Sequence, residues 1–289
     1  MADKVKIDDF ERDVMQLKQY IVDAFTQTLF GGNPAAVVVL PAFLSDDLMQ
    51  QMAVENNLSE TVFVVPQGQK YQIRWFSPLT EIEFCGHASL ASAYVLHHFY
   101  GAGEHIVFEC ALLGEFTIEV QADGLIRMAF PKREAAAVAS VPEALLNGLS
   151  HQPQQVLRSA QAYFAIYDDE QAVRDVTINA ALLKTLAPYD VVVTAASTQE
   201  FDFISRYFWP ANGGDEDPVT GSIYAGLFPY WSERLGKTNL CAKQVSKRGG
   251  VVYGEVQAQK VLVSGYACLF AQCELFVQTA VSVNETSVL

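Results

Sequence analysis

The segment RWFSPLTEIEFCGHASLASAYVL, residues 74–96, has a counterpart in the second half of the chain, RYFWPANGGDEDPVTGSIYAGLF, residues 206–228. Both segments open with arginine, an aromatic residue, phenylalanine, one further residue and proline, and both continue through an acidic loop. Each then reaches a glycine that is followed by small residues and an apolar stretch. A long repeat of this kind predicts two similar domains related by a pseudo-two-fold axis. Two strand–loop–helix units that merely look alike remain the alternative.

Each copy of the repeat predicts a strand, a turn and a buried helix. Small side chains after Gly86 and Gly221 allow a helix to pack closely inside a sheet, and short β-branched runs such as AAVVVL predict many strands around it. We therefore expect an α+β fold with two pseudo-symmetric domains, each a curled β-sheet barrel around a central helix. The expected parts are a charged N-terminal extension over residues 1–18, a first domain over 19–131 that a C-terminal strand near 274–284 completes, and a second domain over 132–273.

Composition restricts the class of protein. The chain has 289 residues, of which 51% are hydrophobic, enough to build two cores. A net charge of −14 argues against binding nucleic acid or an anionic membrane surface, and no apolar run is long enough to cross a bilayer. Five scattered cysteines without a CxxC pair, together with a charged N-terminal segment, predict free thiols and a cytoplasmic location.

The two predicted helix starts indicate an anion-binding cleft. A helix N-terminus presents unsatisfied N–H groups and the positive end of a dipole, so two such ends facing one cleft would suit a small carboxylate-bearing metabolite. Gly86 and Gly221 would let the ligand approach the backbone, and His87 and Ser222 would occupy equivalent first-turn positions. Capping or core packing is the simpler explanation for both polar side chains.

Three further polar residues are candidates for the same cleft. Glu60 precedes the apolar strand TVFVV, and a carboxyl group that is partly removed from water there would suit a proton shuttle. Asp217 lies shortly before Ser222, and Asn33 lies in the turn GGNP that leads into a strand. An ordinary strand-end charge, a helix cap and a turn residue are the respective alternatives.

These motifs together resemble the PhzF family, a phenazine biosynthesis-like branch of the diaminopimelate epimerase superfamily. The matching stretches are VDAFTQTLFGGNPAAVVVL, LSETVFV, RWFSPLTEIEFCGHASLASAYVL and RYFWPANGGDEDPVTGS, in family order over nearly the whole chain. The resemblance implies a diaminopimelate epimerase-like fold and an isomerase without cofactor or metal, often a homodimer. It also implies that Glu60 is the catalytic acid/base, as in the isomerisation of dihydro-hydroxyanthranilate. The other residues that it carries over are Gly86, His87, Asp217 and Ser222.

Two other functions stay open from the sequence. Racemases of this superfamily place a cysteine at each helix start, and Cys85 occupies the first of these positions, so an epimerase using Cys85 is one alternative. The second position offers Thr220, which removes the symmetric thiol pair. A non-catalytic dimeric binding protein with a relic site is the other alternative. Aromatic residues that could line the pocket, although a core position is the simpler expectation for each, are Tyr163, Phe208, Trp209 and Tyr224.

Overall fold

A computed structural model describes residues 14–278. The strands are β1 Val14–Ala24, β2 Asn33–Val39, β3 Glu60–Gln67, β4 Lys70–Phe76, β5 Glu81–Ile82, β6 His105–Cys110, β7 Gly114–Val120, β8 Ile126–Pro131, β9 Ala136–Ala137, β10 Gln155–Arg158, β11 Ala162–Tyr167, β12 Asp190–Ala196, β13 Phe203–Phe208, β14 Glu216–Asp217, β15 Asn239–Gln244, β16 Gly250–Val256, β17 Lys260–Gly265 and β18 Ala267–Gln278. The α-helices are α1 Asp46–Asn56, α2 Gly86–Phe99, α3 Glu143–Gly148, α4 Glu170–Asp175, α5 Ala180–Leu183 and α6 Tyr224–Leu235.

The sheet repeats one strand order in the two halves of the chain. In the first half β1, β2, β3, β4, β6, β7 and β8 are neighbours in that order, with β2–β3 and β4–β6 parallel. In the second half β10, β11, β12, β13, β15, β16 and β17 follow the same order, with β11–β12 and β13–β15 parallel. The antiparallel pair β8–β17 joins the two halves. The expected α+β fold with two pseudo-symmetric halves is confirmed.

A buried helix of small residues occupies the centre of the first half. Residues 86–93 of α2 are all buried, and the helix packs against β1, β2, β3, β7 and β8. The hydroxyls of Ser89 and Ser92 donate to the carbonyls of Cys85 and Ala88 at 2.6 and 2.8 Å, so they need no water. Small side chains thus allow the sheet to curve closely around the helix.

The helix of the second half begins differently. A 3₁₀ turn over Gly221–Ile223 precedes α6, and Pro229 lies inside α6. Proline removes the N–H that would bond the carbonyl four residues earlier, that of Ala225. The backbone N–H of Arg133 donates to this carbonyl instead, at 3.0 Å, so the helix continues without an unsatisfied group.

The arginines of the repeated motif hold the acidic loops in place. Arg74 on β4 makes a two-pronged ion pair with Glu81 on β5, with both N···O distances at 2.7 Å. Arg206 on β13 pairs in the same way with Glu216 on β14, at 2.8 and 3.0 Å. In each half, the arginine of the repeated motif therefore fixes the acidic loop to the sheet.

The ends of the chain differ from the expected boundaries. Residues 14–18, expected in the charged extension, belong to β1, while residues 1–13 lie outside the described part. The C-terminal strand begins at Ala267 rather than near residue 274, and it pairs along its length with β1 in the first half. Residues 267–273 are therefore part of the first half, because a continuous antiparallel ladder extends from Ala24–Ala267 to Val14–Gln278 with one register shift.

None of the helices within residues 14–278 is long and apolar enough to cross a membrane. All five cysteines are free thiols.

Candidate active site

The two helix starts meet between the halves. A β-carbon placed on Gly86 would lie 3.9 Å from the amide nitrogen of Ser222, and one on Gly221 would lie 4.0 Å from the amide nitrogen of His87. The same β-carbon on Gly221 would approach the ring of Phe25 to 3.0 Å, so this glycine is also needed for packing. Amide groups of both starts thus border one space, as the sequence predicted.

This space is a cavity of about 350 Å³. Its lining includes Ser59, Glu60, Ile82, Phe84, Cys85, Gly86, His87, Asp190, Tyr207, Trp209, Asn212, Asp217, Thr220, Gly221 and Ser222. A cavity of about 740 Å³ in the first half, against Arg74 and Trp75, includes neither helix start. Of the four aromatic candidates only Trp209 lines the smaller cavity, since Tyr163, Phe208 and Tyr224 are buried in the cores.

Glu60 and His87 are in close polar contact in the cavity. Glu60 is the first residue of β3 and His87 the second residue of α2, and Oε2 of the carboxyl group lies 2.9 Å from Nε2 of the ring. Their side chains are only 13% and 6% exposed. The ring N–H does not point along the line between the two atoms, so neither atom has a well-aligned hydrogen bond. Both atoms therefore retain hydrogen-bonding capacity for a ligand.

Asn33 lies behind the residues that line the cavity and forms hydrogen bonds with them. The side-chain amide donates to Oδ1 of Asp217 at 2.8 Å and to the carbonyl of Val219 at 3.0 Å, and its oxygen accepts from Ser59 Oγ at 2.9 Å. Asn33 is fully buried and is not part of the cavity lining. The structure thus places it where it orients Asp217, whereas the sequence suggested direct contact with the substrate, because a turn motif does not reveal on which side its side chain lies.

The hydrogens of Asn33 also decide how His87 can be protonated. Asn33 Nδ2 lies 3.2 Å from Nδ1 of His87. Both hydrogens of Nδ2 are already donated to Asp217 and Val219, so Nδ2 has none left to donate to the ring. The Cys85 sulfur, 3.3 Å from Nδ1, is then the acceptor for an Nδ1–H group. The surroundings can accommodate an imidazolium with Nε2–H near Glu60.

Burial and charge change the acidity of three cavity residues. Burial lowers the pKa of His87, but Cys85 and Glu60 on its two sides outweigh this effect, and the pKa is raised well above its ordinary value. Burial, reinforced by the charge of Glu60, raises the pKa of the Cys85 thiol to about 11. Burial raises the pKa of Asp217 to about 6, although His87, Thr220 and Asn33 favour its ionised form. The Cys85 thiol therefore stays protonated at neutral pH.

Asp190 is a cavity residue that the sequence reasoning missed. Glu60 pairs with Ala35 where β3 begins, and Asp190 pairs with Ala162 where β12 begins, in the same parallel arrangement. The two acids are therefore counterparts in the two halves. The repeat contained the signal, because Asp190 precedes the run VVVTA as Glu60 precedes TVFVV.

A chain of hydrogen bonds connects Asp190 to the second helix start. The Tyr207 hydroxyl donates to Oδ2 of Asp190 at 2.7 Å, and Nε2 of Gln161 lies 3.0 Å from the same hydroxyl. Since the tyrosine hydrogen is already used, Gln161 must be the donor there, and Nε2 also donates to Oγ of Ser222 at 2.9 Å. The hydroxyl hydrogen of Ser222 is consequently free to donate to a ligand.

Cys85 and Thr220 occupy equivalent cap positions at the two helix starts. The Thr220 hydroxyl donates to Asp217, so it holds that carboxyl group in place. Ligand atoms of Glu60, Cys85 and His87 lie within 4.8 Å of one another, close enough for these three side chains to hold a metal ion.

The fold and the paired helix starts define a protein of the diaminopimelate epimerase-like class, with its site between two similar halves. The chain belongs to the PhzF family, since the family model described as phenazine biosynthesis-like protein matches residues 22–273.

Individual relatives agree with this assignment. An uncharacterized isomerase of Pseudomonas aeruginosa is 43% identical over 258 residues, which cover 89% of this chain and 97% of the relative. The crystal structure of a PhzF family protein from Enterococcus faecalis is 40% identical, with a TM-score of 0.86 over 91% of this chain and 100% of that one. A hydroxyproline epimerase from Agrobacterium vitis, at 11% identity and a TM-score of 0.58 over 91% of this chain and 93% of that one, shares the fold alone.

Proposed function

We propose that this protein is a cofactor-independent isomerase that moves a proton on a small carboxylic acid, with Glu60 as the acid/base. The observation that carries this proposal is the 2.9 Å contact of Glu60 with His87 in a cavity bordered by two helix starts. Relatives named isomerase, at 43% and 42% identity, support the reaction class.

Glu60 would transfer the proton in two steps, with the same carboxyl group acting first as base and then as acid. Ionised Glu60 accepts a proton from a C–H bond of the substrate, and the electron pair of that bond moves into the substrate's conjugated system. Protonated Glu60 then returns the hydrogen to a different carbon, so the substrate is rearranged without gain or loss of atoms. The ring of His87, with Nε2 2.9 Å from Oε2, keeps the carboxyl group in place between the two steps.

The helix starts would stabilise the charge that develops during the transfer. When the C–H proton leaves, negative charge is delocalised toward the substrate's carboxylate. Gly86, Gly221 and Ser222 line the cavity in which this charge would increase, and the Ser222 hydroxyl hydrogen is free to donate there. Donors that are fixed before the reaction need no rearrangement during it.

The epimerase alternative has less support from the site geometry. Cys85 lines the cavity, but burial raises the pKa of its thiol to about 11, so the thiolate that would act as a base is scarce at neutral pH. Its counterpart is Thr220, whose hydroxyl donates to Asp217.

Solvent deuterium exchange tests the role of Glu60. The protein is incubated in D₂O with dihydro-hydroxyanthranilate and with a panel of small unsaturated carboxylic acids, and incorporation is measured by mass spectrometry. We expect one substrate to gain deuterium and to isomerise, and we expect Glu60→Gln to reduce both by at least about 100-fold while the variant stays folded. Glu55→Gln, the same change at an exposed position of α1, is the matched control.

Undiminished exchange in Glu60→Gln would remove this residue from its proposed role. Loss of exchange in Cys85→Ser with full exchange in Glu60→Gln would favour the epimerase instead.

We also propose that the protein acts in the cytoplasm as a homodimer. Five free thiols suit a reducing compartment, and the long strand β18 has an edge suited to association.

A further inference from the structure

A second cavity, of about 690 Å³, lies next to the candidate active site. Ile82, Phe84, Asn212 and Ser222 line both spaces, so the two adjoin each other. We refer to the second space as the aromatic groove, after the apolar side chains in its wall: Phe84, Leu112, Leu113, Phe116, Met128 and Phe130. It lies beside the start of α2, where a β-carbon on Gly86 would be 3.6 Å from the ring of Phe130.

The wall of the groove is aromatic along its inner part and aliphatic at its outer edge. The rings of Phe116 and Phe130 each lie 5.8 Å from that of Phe84, in edge-to-face contact. At the outer edge Leu112 and Leu113 are 56% and 49% exposed. Large apolar side chains exposed beside a cavity are typical of a ligand-binding surface.

The two adjoining cavities differ in polarity. The active-site end offers the backbone amides of the helix starts and the Ser222 hydroxyl, whose hydrogen the Gln161 contact leaves free. The middle is apolar, and the charged side chains of the groove, Glu81, Glu83 and Arg133, are exposed toward its mouth. This distribution fits a ligand with an anionic head and an apolar body.

We propose that the substrate is a carboxylic acid with an apolar or aromatic substituent, which extends from the helix starts into the aromatic groove. The inference rests on the proposed function for the position of the carboxylate, and it adds the nature of the remainder of the molecule. A substrate consisting of one small polar ring would leave the groove walls without contact.

Binding of straight-chain carboxylates tests the groove. Dissociation constants of butanoate, hexanoate and octanoate are measured by calorimetry with the full-length protein. We expect one site per chain and a Kd that falls about three- to four-fold for each added methylene group, because each buried methylene group is removed from water. A Kd that does not depend on chain length, or the absence of saturable binding by all three acids, would overturn the inference.

Variants assign the effect to the groove. Leu113→Asp places a charge at the groove edge, and Leu113→Ser tests the same position without one. In both variants the gain in affinity from hexanoate to octanoate, whose outer methylene groups reach this edge, should fall toward one-fold. Val54→Asp, at an exposed apolar position of α1, should leave it unchanged. Ser222→Ala should weaken all three acids by a similar factor and keep the dependence on length. An undiminished gain from hexanoate to octanoate in both Leu113 variants would contradict the inference.

The outcome is separable from that of the proposed function. Chain-length-dependent binding without Glu60-dependent exchange for any acid would keep the groove assignment and contradict the isomerase. Glu60-dependent exchange with a Kd that does not depend on chain length would support the isomerase and contradict the groove assignment.

Discussion

Asp217 places a titrating group at the cavity wall. Burial raises its pKa from 3.8 to about 6, so the folded state binds a proton more tightly than the unfolded chain. Protonated Asp217 therefore contributes its full stabilisation of the fold below about pH 4, where the carboxyl group is also protonated in the unfolded chain. The contribution is lost as the pH rises through the folded pKa, near 6.

We predict that Asp217→Asn becomes more stable relative to the wild type as the pH rises from 5 to 7.5. The difference in free energy of unfolding between the two proteins should change by roughly 1 kcal/mol over this interval, because the wild type loses a proton there and the amide does not. Urea denaturation at both pH values measures it. An unchanged difference would mean that Asp217 titrates outside this range.

Individual residues also show where sequence reasoning reaches its limit. His87 and Ser222 could be found because each follows the glycine of a repeated motif, and the structure brings both to the cavity. Asp190 was missed although it precedes VVVTA as Glu60 precedes TVFVV, because this short pattern also fits an ordinary strand-end charge; the pairing of β12 with β11 establishes it as the counterpart of Glu60. Asn33 was recognised as a candidate, but the direction of its side chain depends on packing.

Glycine packing controls how closely the strands of the second half approach α6. A β-carbon on Gly254 of β16 would come within 2.4 Å of the ring of Phe228 on α6. The ring is fully buried, so it cannot move away without disturbing the core.

We predict that Gly254→Ala lowers the free energy of unfolding by about 1–3 kcal/mol through overpacking. Gly103→Ala is the control, since no atom lies within 4 Å of its new β-carbon. Urea denaturation of both variants distinguishes overpacking from a general effect of replacing glycine. Equal stability of the two variants would show that the core accommodates the methyl group.

Elements with local signals were more predictable than those with distant partners. Ser45 caps α1 by accepting from the amide of Leu48, and the small residues after Gly86 mark α2, so both helices follow from short stretches of sequence. The start of β18 depended on its pairing with β1 at the opposite end of the chain. No local pattern indicates that Ala267 rather than a later residue begins the ladder.

At the scale of the whole molecule, β18 has one side without a partner among the described strands. It is twelve residues long, pairs with β1 alone, and exposes Phe270 and Phe276. Long edge strands with exposed apolar residues favour pairing with another chain.

We predict a homodimer that uses this strand. Light scattering after gel filtration should give twice the chain mass of 31.8 kDa for the wild type. The double variant Phe270→Lys, Phe276→Lys should give a single chain mass, whereas Val54→Lys on α1 should not change the wild-type result. A monomeric wild type, or a double variant that remains dimeric, would contradict the use of β18.

The ladder between β1 and β18 also has a consequence for biosynthesis. As the chain emerges from the ribosome, the amino-terminal half appears first but lacks a strand that is translated near the very end. Strand β1 of that half therefore lacks its β18 partner while the second half is synthesised. A gene divided at the middle of the coding region would separate β1 from β18, so the amino-terminal product would have to bind the carboxy-terminal one to complete its sheet.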